Sequence, residues 1–171
     1  MDNVIVDSFK AFMDVLKKDF PRPDRTDEDW EKLFAFGNGS QADLDLFFEI
    51  VSREGFFRNL PWMDVDCHDV IAGLHKQYDV YIVTAAMNYP PCVVEKIDWL
   101  QENLPMISPS HYVFCGKKGV IHTDYLLDDN IDKHKGFRGT GLCYHTKVNR
   151  HREINEPRLH SWQEVGAYFG L

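Results

Sequence analysis

Polar residues follow three short apolar segments of this sequence. Thr84 follows one segment, the Lys117–Lys118 pair another, and the Asp128–Asp129 pair a third. If these segments are parallel strands of one sheet, their carboxyl ends bring the polar groups to one edge, where ligands bind. An ammonium suits phosphate oxygens, and two neighbouring carboxylates suit Mg²⁺. We therefore expect a phosphate site that holds Mg²⁺.

Each of these groups also has an ordinary structural explanation. A threonine at a strand end is commonly a turn former. Adjacent aspartates commonly begin a turn or a helix, where they complement the helix dipole. The functional interpretation depends on the convergence of all three groups at the ends of strands in one sheet.

The elements that position these groups alternate between strands and helices. Short β-branched or aromatic segments predict strands, and apolar residues at helical spacing predict helices. Strands are expected at 80–83, 112–115, 125–127 and 141–144, and helices at 65–77, 93–104 and 161–169. This order predicts an α/β fold with a parallel sheet.

The region before residue 60 predicts helices rich in aromatic residues. Apolar residues recur at helical spacing over 8–18, and two further helices are expected after the capping residues Thr26 and Ser40. The aromatic side chains have two interpretations: they form the core of this helical region, or some of them sandwich a flat ligand.

Composition excludes several classes of protein. The chain has 171 residues, 44% of them hydrophobic, and a formal net charge of −8, which argues against a protein that coats nucleic acid. Because no apolar run approaches the length of a bilayer and no signal peptide is visible at Met1, we expect no membrane association. The four cysteines are widely spaced without a CxxC, which predicts reduced thiols and a cytoplasmic location.

Several motifs together resemble those of a known superfamily. Residues 1–7, Thr84, Lys118 and the Asp128–Asp129 pair resemble the four motifs of the haloacid dehalogenase-like phosphatases. More narrowly, the chain is similar to the 5′(3′)-deoxyribonucleotidases. This similarity also rests on residues 55–57, on Lys96 with Trp99, on 125–129 and on 159–162.

The resemblance implies a Rossmann-like core of residues 1–9 and 61–171 with a small helical cap of residues 10–60 inserted near the N-terminus. It implies Mg²⁺-dependent hydrolysis of a nucleoside monophosphate, a deoxyribonucleotide above all, through an aspartyl-phosphate. Two alternatives stay open: a catalytically dead nucleotide- or phosphate-binding homologue, and a phosphatase of another small phosphate ester. The expected partner is a small nucleotide, not a nucleic acid polymer or a membrane. The oligomeric state stays open, a dimer included.

The resemblance also implies roles for individual residues. Asp2 matches the acid/base, and Asn3 stands where the family pattern has glycine. Thr84 and the backbone N–H of Ala85 would hold phosphate oxygens. Lys118, rather than Lys117, would neutralise charge. Asp128, Asp129 and the Asp2 carbonyl would bind Mg²⁺, and the cap aromatics Trp30, Phe34, Phe36, Phe56 and Phe57 are the candidates to hold the base.

The first motif has a register in which the nucleophile lies outside the printed sequence. With Asp2 as acid/base, the aligned nucleophilic aspartate precedes Met1, and we expect the natural protein to extend upstream. The other register makes Asp2 the nucleophile, but it puts Val4 at the acid/base position and spoils the match at Asp7. In the preferred register, residues 1–171 bind substrate and metal but form no aspartyl-phosphate.

Overall fold

The computed structural model of the chain describes residues 1–37 and 39–171. The helices are α1 (Ser8–Asp19), α2 (Asp27–Phe36), α3 (Gln41–Val51), α4 (Cys67–His75), α5 (Cys92–Asn103) and α6 (Trp162–Tyr168). The strands are β1 (Ile82–Thr84), β2 (Tyr112–Phe114), β3 (Tyr125–Asp128), β4 (Thr140–Tyr144) and β5 (Arg158–Leu159). Helices and parallel strands alternate after α4, and the predicted α/β, Rossmann-like fold class is confirmed.

The strands lie in two parallel sheets, whereas a single sheet was expected, so Thr84 and Asp128 end strands of different sheets. β1 pairs with β2, with Val83 opposite Val113, and β3, β4 and β5 form the second sheet in that order. The four predicted strands are present with shifts of one or two residues at their ends. β5 was not predicted, because two residues carry no readable alternation.

The helical region begins its second and third helices with capping boxes. Thr26 Oγ1 accepts a hydrogen bond from Asp29 N (3.2 Å), and Asp29 Oδ2 accepts one from Thr26 N (2.8 Å). Ser40 and Asp43 make the same pair of bonds before α3. These reciprocal bonds satisfy N–H groups that a helix start leaves unpaired, so the local sequence fixes where both helices begin.

Aromatic side chains form the core of this helical region. The ring of Phe12 is fully buried and lies 5.0–5.6 Å from the rings of Trp30, Phe34 and Phe47. α1 begins at Ser8, so the expected boundary between residues 9 and 10 falls inside a helix. The division into a core and a cap of residues 10–60 stays a prediction.

A salt bridge joins the helical region to the loop after β4. Arg150 Nη2 lies 2.8 Å from Glu31 Oε2, and the Glu31 side chain is buried. Because a buried carboxylate is costly unless it is paired, Arg150 stabilises α2 in this position.

An apolar cleft of about 710 Å³ is lined by residues of both sheets, among them Val83 of β1 and Leu126 of β3. The segment before α1 contributes to the lining but forms only isolated bridges, from Asp2 to Val6 and from Val6 to Trp62. Across the described ranges, no helix combines the length and the apolar character needed to cross a bilayer.

Candidate active site

The ends of β1 and β3 carry two of the predicted polar groups. Thr84 ends β1 and is only 1% exposed, and Asp128 ends β3 and is 2% exposed. Thr84 Oγ1 donates a hydrogen bond of 3.3 Å to Asp2 Oδ2, and the Lys118 ammonium donates to Asp128 Oδ2. The structure buries Lys118 and exposes Lys117. Two polar pairs therefore lie at the strand ends, a hydroxyl with a carboxylate at β1 and an ammonium with a carboxylate at β3.

Asp2 is held as a carboxylate by a neighbouring cation. Lys96 Nζ on α5 lies 2.6 Å from Asp2 Oδ2 and 3.4 Å from Thr84 Oγ1. Burial alone would raise the pKa of Asp2, but the nearby positive charges, that of Lys96 first and that of the terminal ammonium next, together lower the pKa to about 2. The Lys96 side chain is 4% exposed, while that of Asp2 is 33% exposed. Asp2 Oδ1 is buried and has no hydrogen-bond partner among the described residues, so it is the carboxylate oxygen that a ligand could engage.

The two aspartates after β3 have opposite electrostatic environments. Burial opposes ionisation of Asp128, but Lys118 more than offsets it and lowers the pKa of Asp128. Asp128 Oδ1 also accepts a bond of 2.9 Å from Asn130 N. Burial, and next the Asp128 carboxylate, raise the pKa of Asp129 to about 7. The charge of Asp129 is therefore poorly compensated by the protein.

This difference indicates where a metal ion fits. A divalent cation beside Asp129 would supply the missing positive charge, and carboxylate oxygens are ligands that Mg²⁺ prefers. Within the described parts of the chain, no three His, Cys, Asp or Glu side chains are gathered around a common metal position. The remaining ligands would be waters and a backbone carbonyl such as that of Asp2. The donor set fits Mg²⁺, which keeps several waters in proteins.

Phe57 is the predicted aromatic residue that adjoins these groups. Its half-buried ring has Lys96 Nζ 4.7 Å from its centre and the Tyr89 ring at 6.1 Å. Trp30 is buried in the aromatic core of the helical region, and Phe34 packs against Phe9 and Phe12. Those two side chains therefore contribute to the core rather than to a ligand surface.

The other residues predicted to contact a ligand are Phe56, Phe36 and Ala85. Phe56 is buried and meets the Phe57 ring edge-on at 5.0 Å. The side chain of Phe36 lies outside the described part of the chain. Ala85 follows Thr84 and precedes the 3₁₀ turn Ala86–Asn88, at the end of β1.

The loop that carries Phe57 is held by Glu95, which the sequence interpretation did not include. The Glu95 carboxylate accepts bonds from Gly55 N (2.7 Å), Phe57 N (2.9 Å) and Arg58 N (3.2 Å). Gly55 has a φ of 81°, a conformation that glycine adopts at little cost. One carboxylate on α5 thus fixes the backbone from which the Phe57 ring projects.

The position of Lys96 on α5 carried a readable signal. Lys96 follows Cys92 by four residues and precedes Trp99 by three, and all three side chains are buried. A lysine on the apolar face of a helix is rarely buried without a partner. That pattern could have indicated that Lys96 faces a carboxylate.

The loop after β4 is anchored to the same strand ends. Buried Asn149 donates bonds from Nδ2 to the backbone oxygens of Asp129 (2.8 Å) and Tyr144 (2.7 Å). Its Oδ1 accepts a bond from Thr146 N (3.0 Å). Asn149 therefore holds Asp129 through its backbone oxygen and not through its carboxylate.

Comparison with known proteins agrees with the motif-based resemblance. The family described as "5′ nucleotidase, deoxy (Pyrimidine), cytosolic type C protein" matches residues 1–169. A protein of Staphylococcus aureus (strain Mu50) with the provisional name 5′(3′)-deoxyribonucleotidase is 40% identical over 124 residues, which is 72% of this chain and 68% of that protein. A 5′(3′)-deoxyribonucleotidase of Bacillus subtilis (strain 168) is 36% identical over 109 residues, 64% of this chain and 62% of its own length. The predicted resemblance is confirmed.

Proposed function

We propose, since the chain belongs to the 5′(3′)-deoxyribonucleotidase family, that it is a phosphatase that hydrolyses nucleoside monophosphates, preferentially deoxyribonucleotides. The observation that carries the proposal is the contact of Thr84 with Asp2 at the end of β1 and of Lys118 with Asp128 at the end of β3. These groups can bind a phosphate and transfer a proton beside it. The four cysteines are unpaired thiols, which supports the proposal of a cytoplasmic location.

Each polar group has a defined task in this proposal. The Thr84 hydroxyl and the Ala85 N–H bind phosphate oxygens, and the Lys118 ammonium offsets the charge that develops on them. Asp2 gives a proton to the leaving oxygen and later takes one from water. Lys96 favours the carboxylate form, which accepts that proton, and an incoming phosphate dianion favours the protonated form.

Asp128 and Asp129, with the Asp2 carbonyl, are the groups that would hold Mg²⁺. When bound, the ion withdraws charge from the phosphate oxygens and makes phosphorus easier to attack. None of the side chains described above is given the task of the attacking carboxylate.

Phosphate release tests the proposal. Release is measured from deoxyribonucleoside and ribonucleoside monophosphates and from ribose 5-phosphate, with Mg²⁺ and with EDTA. The tested proteins are residues 1–171 and the same chain preceded by an apolar strand that ends in aspartate. We expect rapid, EDTA-sensitive release from nucleotides by the extended chain and slow release by the shorter one.

Three other outcomes would contradict parts of the proposal. Equal rates for the two chains would show that the register is wrong and that Asp2 is the nucleophile. Nucleotide binding without release by either chain would contradict hydrolysis and support the nucleotide-binding alternative. Equal efficiency on ribose 5-phosphate would contradict recognition of the base.

A further inference from the structure

Asn3 has a left-handed backbone conformation, which glycine adopts more readily than asparagine does. Its φ is 52°, and among the described residues it is the non-glycine residue with positive φ. Glycine reaches this left-handed region at no steric cost, and asparagine does so at a small one. Because glycine would satisfy the backbone at this position, the backbone conformation does not explain the asparagine side chain, whose role depends on its contacts.

The hydrogen bonds of Asn3 fix which way its amide points. Oδ1 accepts bonds from Ser8 Oγ (2.8 Å) and from Phe9 N (3.0 Å). Because a backbone N–H can only donate, the atom that faces Phe9 must be the oxygen. The amide nitrogen is therefore the atom on the other side, where it donates a bond of 3.2 Å to Asp129 Oδ2.

This amide joins three parts of the candidate site. It follows Asp2 directly, bonds to the first turn of α1 through Ser8 and Phe9, and reaches the carboxylate beyond β3. Asn3 is 8% exposed, so water competes little for these bonds. The position of Asp129 is thereby tied to the segment that carries Asp2.

The other polar neighbours of Asp129 do not orient its carboxylate. Lys118 donates to Asp128, and Asn149 contacts the backbone oxygen of Asp129 rather than its carboxylate. Asp128 is itself a carboxylate and, when ionised, supplies no donor to Asp129. Among the described hydrogen bonds, the Asn3 amide is the side-chain donor that reaches Asp129 Oδ2.

We propose that Asn3 is a positioning residue that orients the Asp129 carboxylate for Mg²⁺. The inference rests on the proposed function, because that function supplies the metal. Groups that hydrogen-bond to metal-binding carboxylates set their orientation, and their loss weakens metal affinity about 10–100-fold.

The test is direct titration of Mg²⁺ into the wild type, Asn3→Gly and Ser8→Ala by calorimetry. Asn3→Gly keeps a residue that accepts positive φ and removes the donor to Asp129. Ser8→Ala is the matched control, since it removes a bond to the same amide and leaves the Asp129 bond in place. We expect the dissociation constant of Mg²⁺ to rise at least about tenfold in Asn3→Gly and to stay unchanged in Ser8→Ala.

A second measurement separates positioning from loss of structure. The rise in melting temperature with Mg²⁺ concentration reports metal affinity even for a less stable variant, because binding to the folded state stabilises by mass action. In the extended chain, saturating Mg²⁺ should also restore phosphate release by Asn3→Gly, which it would not do for a damaged fold.

Three results would overturn the proposal. Equal Mg²⁺ affinity of Asn3→Gly and the wild type would show that the amide does not position Asp129, with the proposed function intact. An equal loss in Ser8→Ala would assign the effect to the structure around α1. Absence of Mg²⁺ binding by the wild type would overturn both this inference and the proposed metal.

Discussion

Lys96 Nζ lies 2.6 Å from Oδ2 of Asp2 and 4.7 Å from the centre of the Phe57 ring. One buried ammonium therefore touches the proposed acid/base on one side and, on the other, one face of the Phe57 ring, which leaves the opposite face for a base. A cation over an aromatic face is attracted by the negative charge of the ring, so Lys96 has favourable partners on both sides.

Replacing Lys96 by methionine should destabilise the protein mainly through Asp2. The Asp2 pKa of about 2 in the folded state, against 3.8 ordinarily, means that the ionised form stabilises the fold above about pH 4. That contribution is lost as the pH falls toward 2. Urea denaturation at neutral pH of Lys96→Met, Asp2→Asn and the double variant should give an interaction of about 0.5–3 kcal/mol. Strictly additive effects would show that the pair is not coupled.

Asp129 should make the metal-free protein less stable as the pH rises. Its pKa is raised from 3.8 to about 7 in the folded state, so between these values the folded protein binds a proton that the unfolded chain has released. The free energy of unfolding therefore falls from about pH 4 to about pH 7. In EDTA, the urea midpoint of the wild type should fall in this range relative to that of Asp129→Asn. The same pH dependence in both proteins would contradict the assignment.

Phe57→Leu should weaken nucleotide binding selectively. Stacking of a base on an aromatic ring is worth about 1–3 kcal/mol, and leucine keeps apolar volume without a flat face. Calorimetry should show weaker binding of a deoxyribonucleotide and little change for ribose 5-phosphate. Phe34→Leu is the control, because the Phe34 ring packs against Phe9 within the helical region. A parallel loss of both ligands in Phe57→Leu would mean that the ring does not recognise the base.

Glu95→Gln should also reduce the preference for a nucleotide over ribose 5-phosphate, although Glu95 acts through the loop and not by contact with the base. The neutral amide is a weaker acceptor for the three N–H groups of residues 55, 57 and 58, since bonds to charged groups are about twice as strong. The ratio of nucleotide to ribose 5-phosphate affinity should fall. Glu102→Gln is the control, because it loses only an exposed ion pair with Arg58. An unchanged ratio in Glu95→Gln would show that the loop keeps its position without the carboxylate charge.

Much of the fold could be predicted because local signals decide it. The capping boxes at Thr26 and Ser40 place two helix starts through bonds within four residues. The apolar segments before Thr84 and Asp128 predict strands through burial on both faces. β5 could not be predicted from the local sequence, because only two of its residues pair with β4, through a tertiary contact.

The candidate site was predictable only in part for a related reason. Thr84 and Asp128 follow from the rule that ligands bind at strand ends. Asn3 and Glu95 act through bonds to residues far away in the sequence, Asn3 to Asp129 and Glu95 to the 55–58 loop. Neither pairing leaves a local periodicity, so only the folded chain shows it.

Glu95 and Lys96 are consecutive residues of α5, and this adjacency has a thermodynamic consequence. One holds the loop of Phe57, and the other holds Asp2, so a single rigid helix bears on both. If binding of a base to that loop shifts α5, the contact of Lys96 with Asp2 shifts with it. By linkage the coupling free energy is the same in both directions, so the protonation state of Asp2 alters base affinity by the factor with which the base alters protonation.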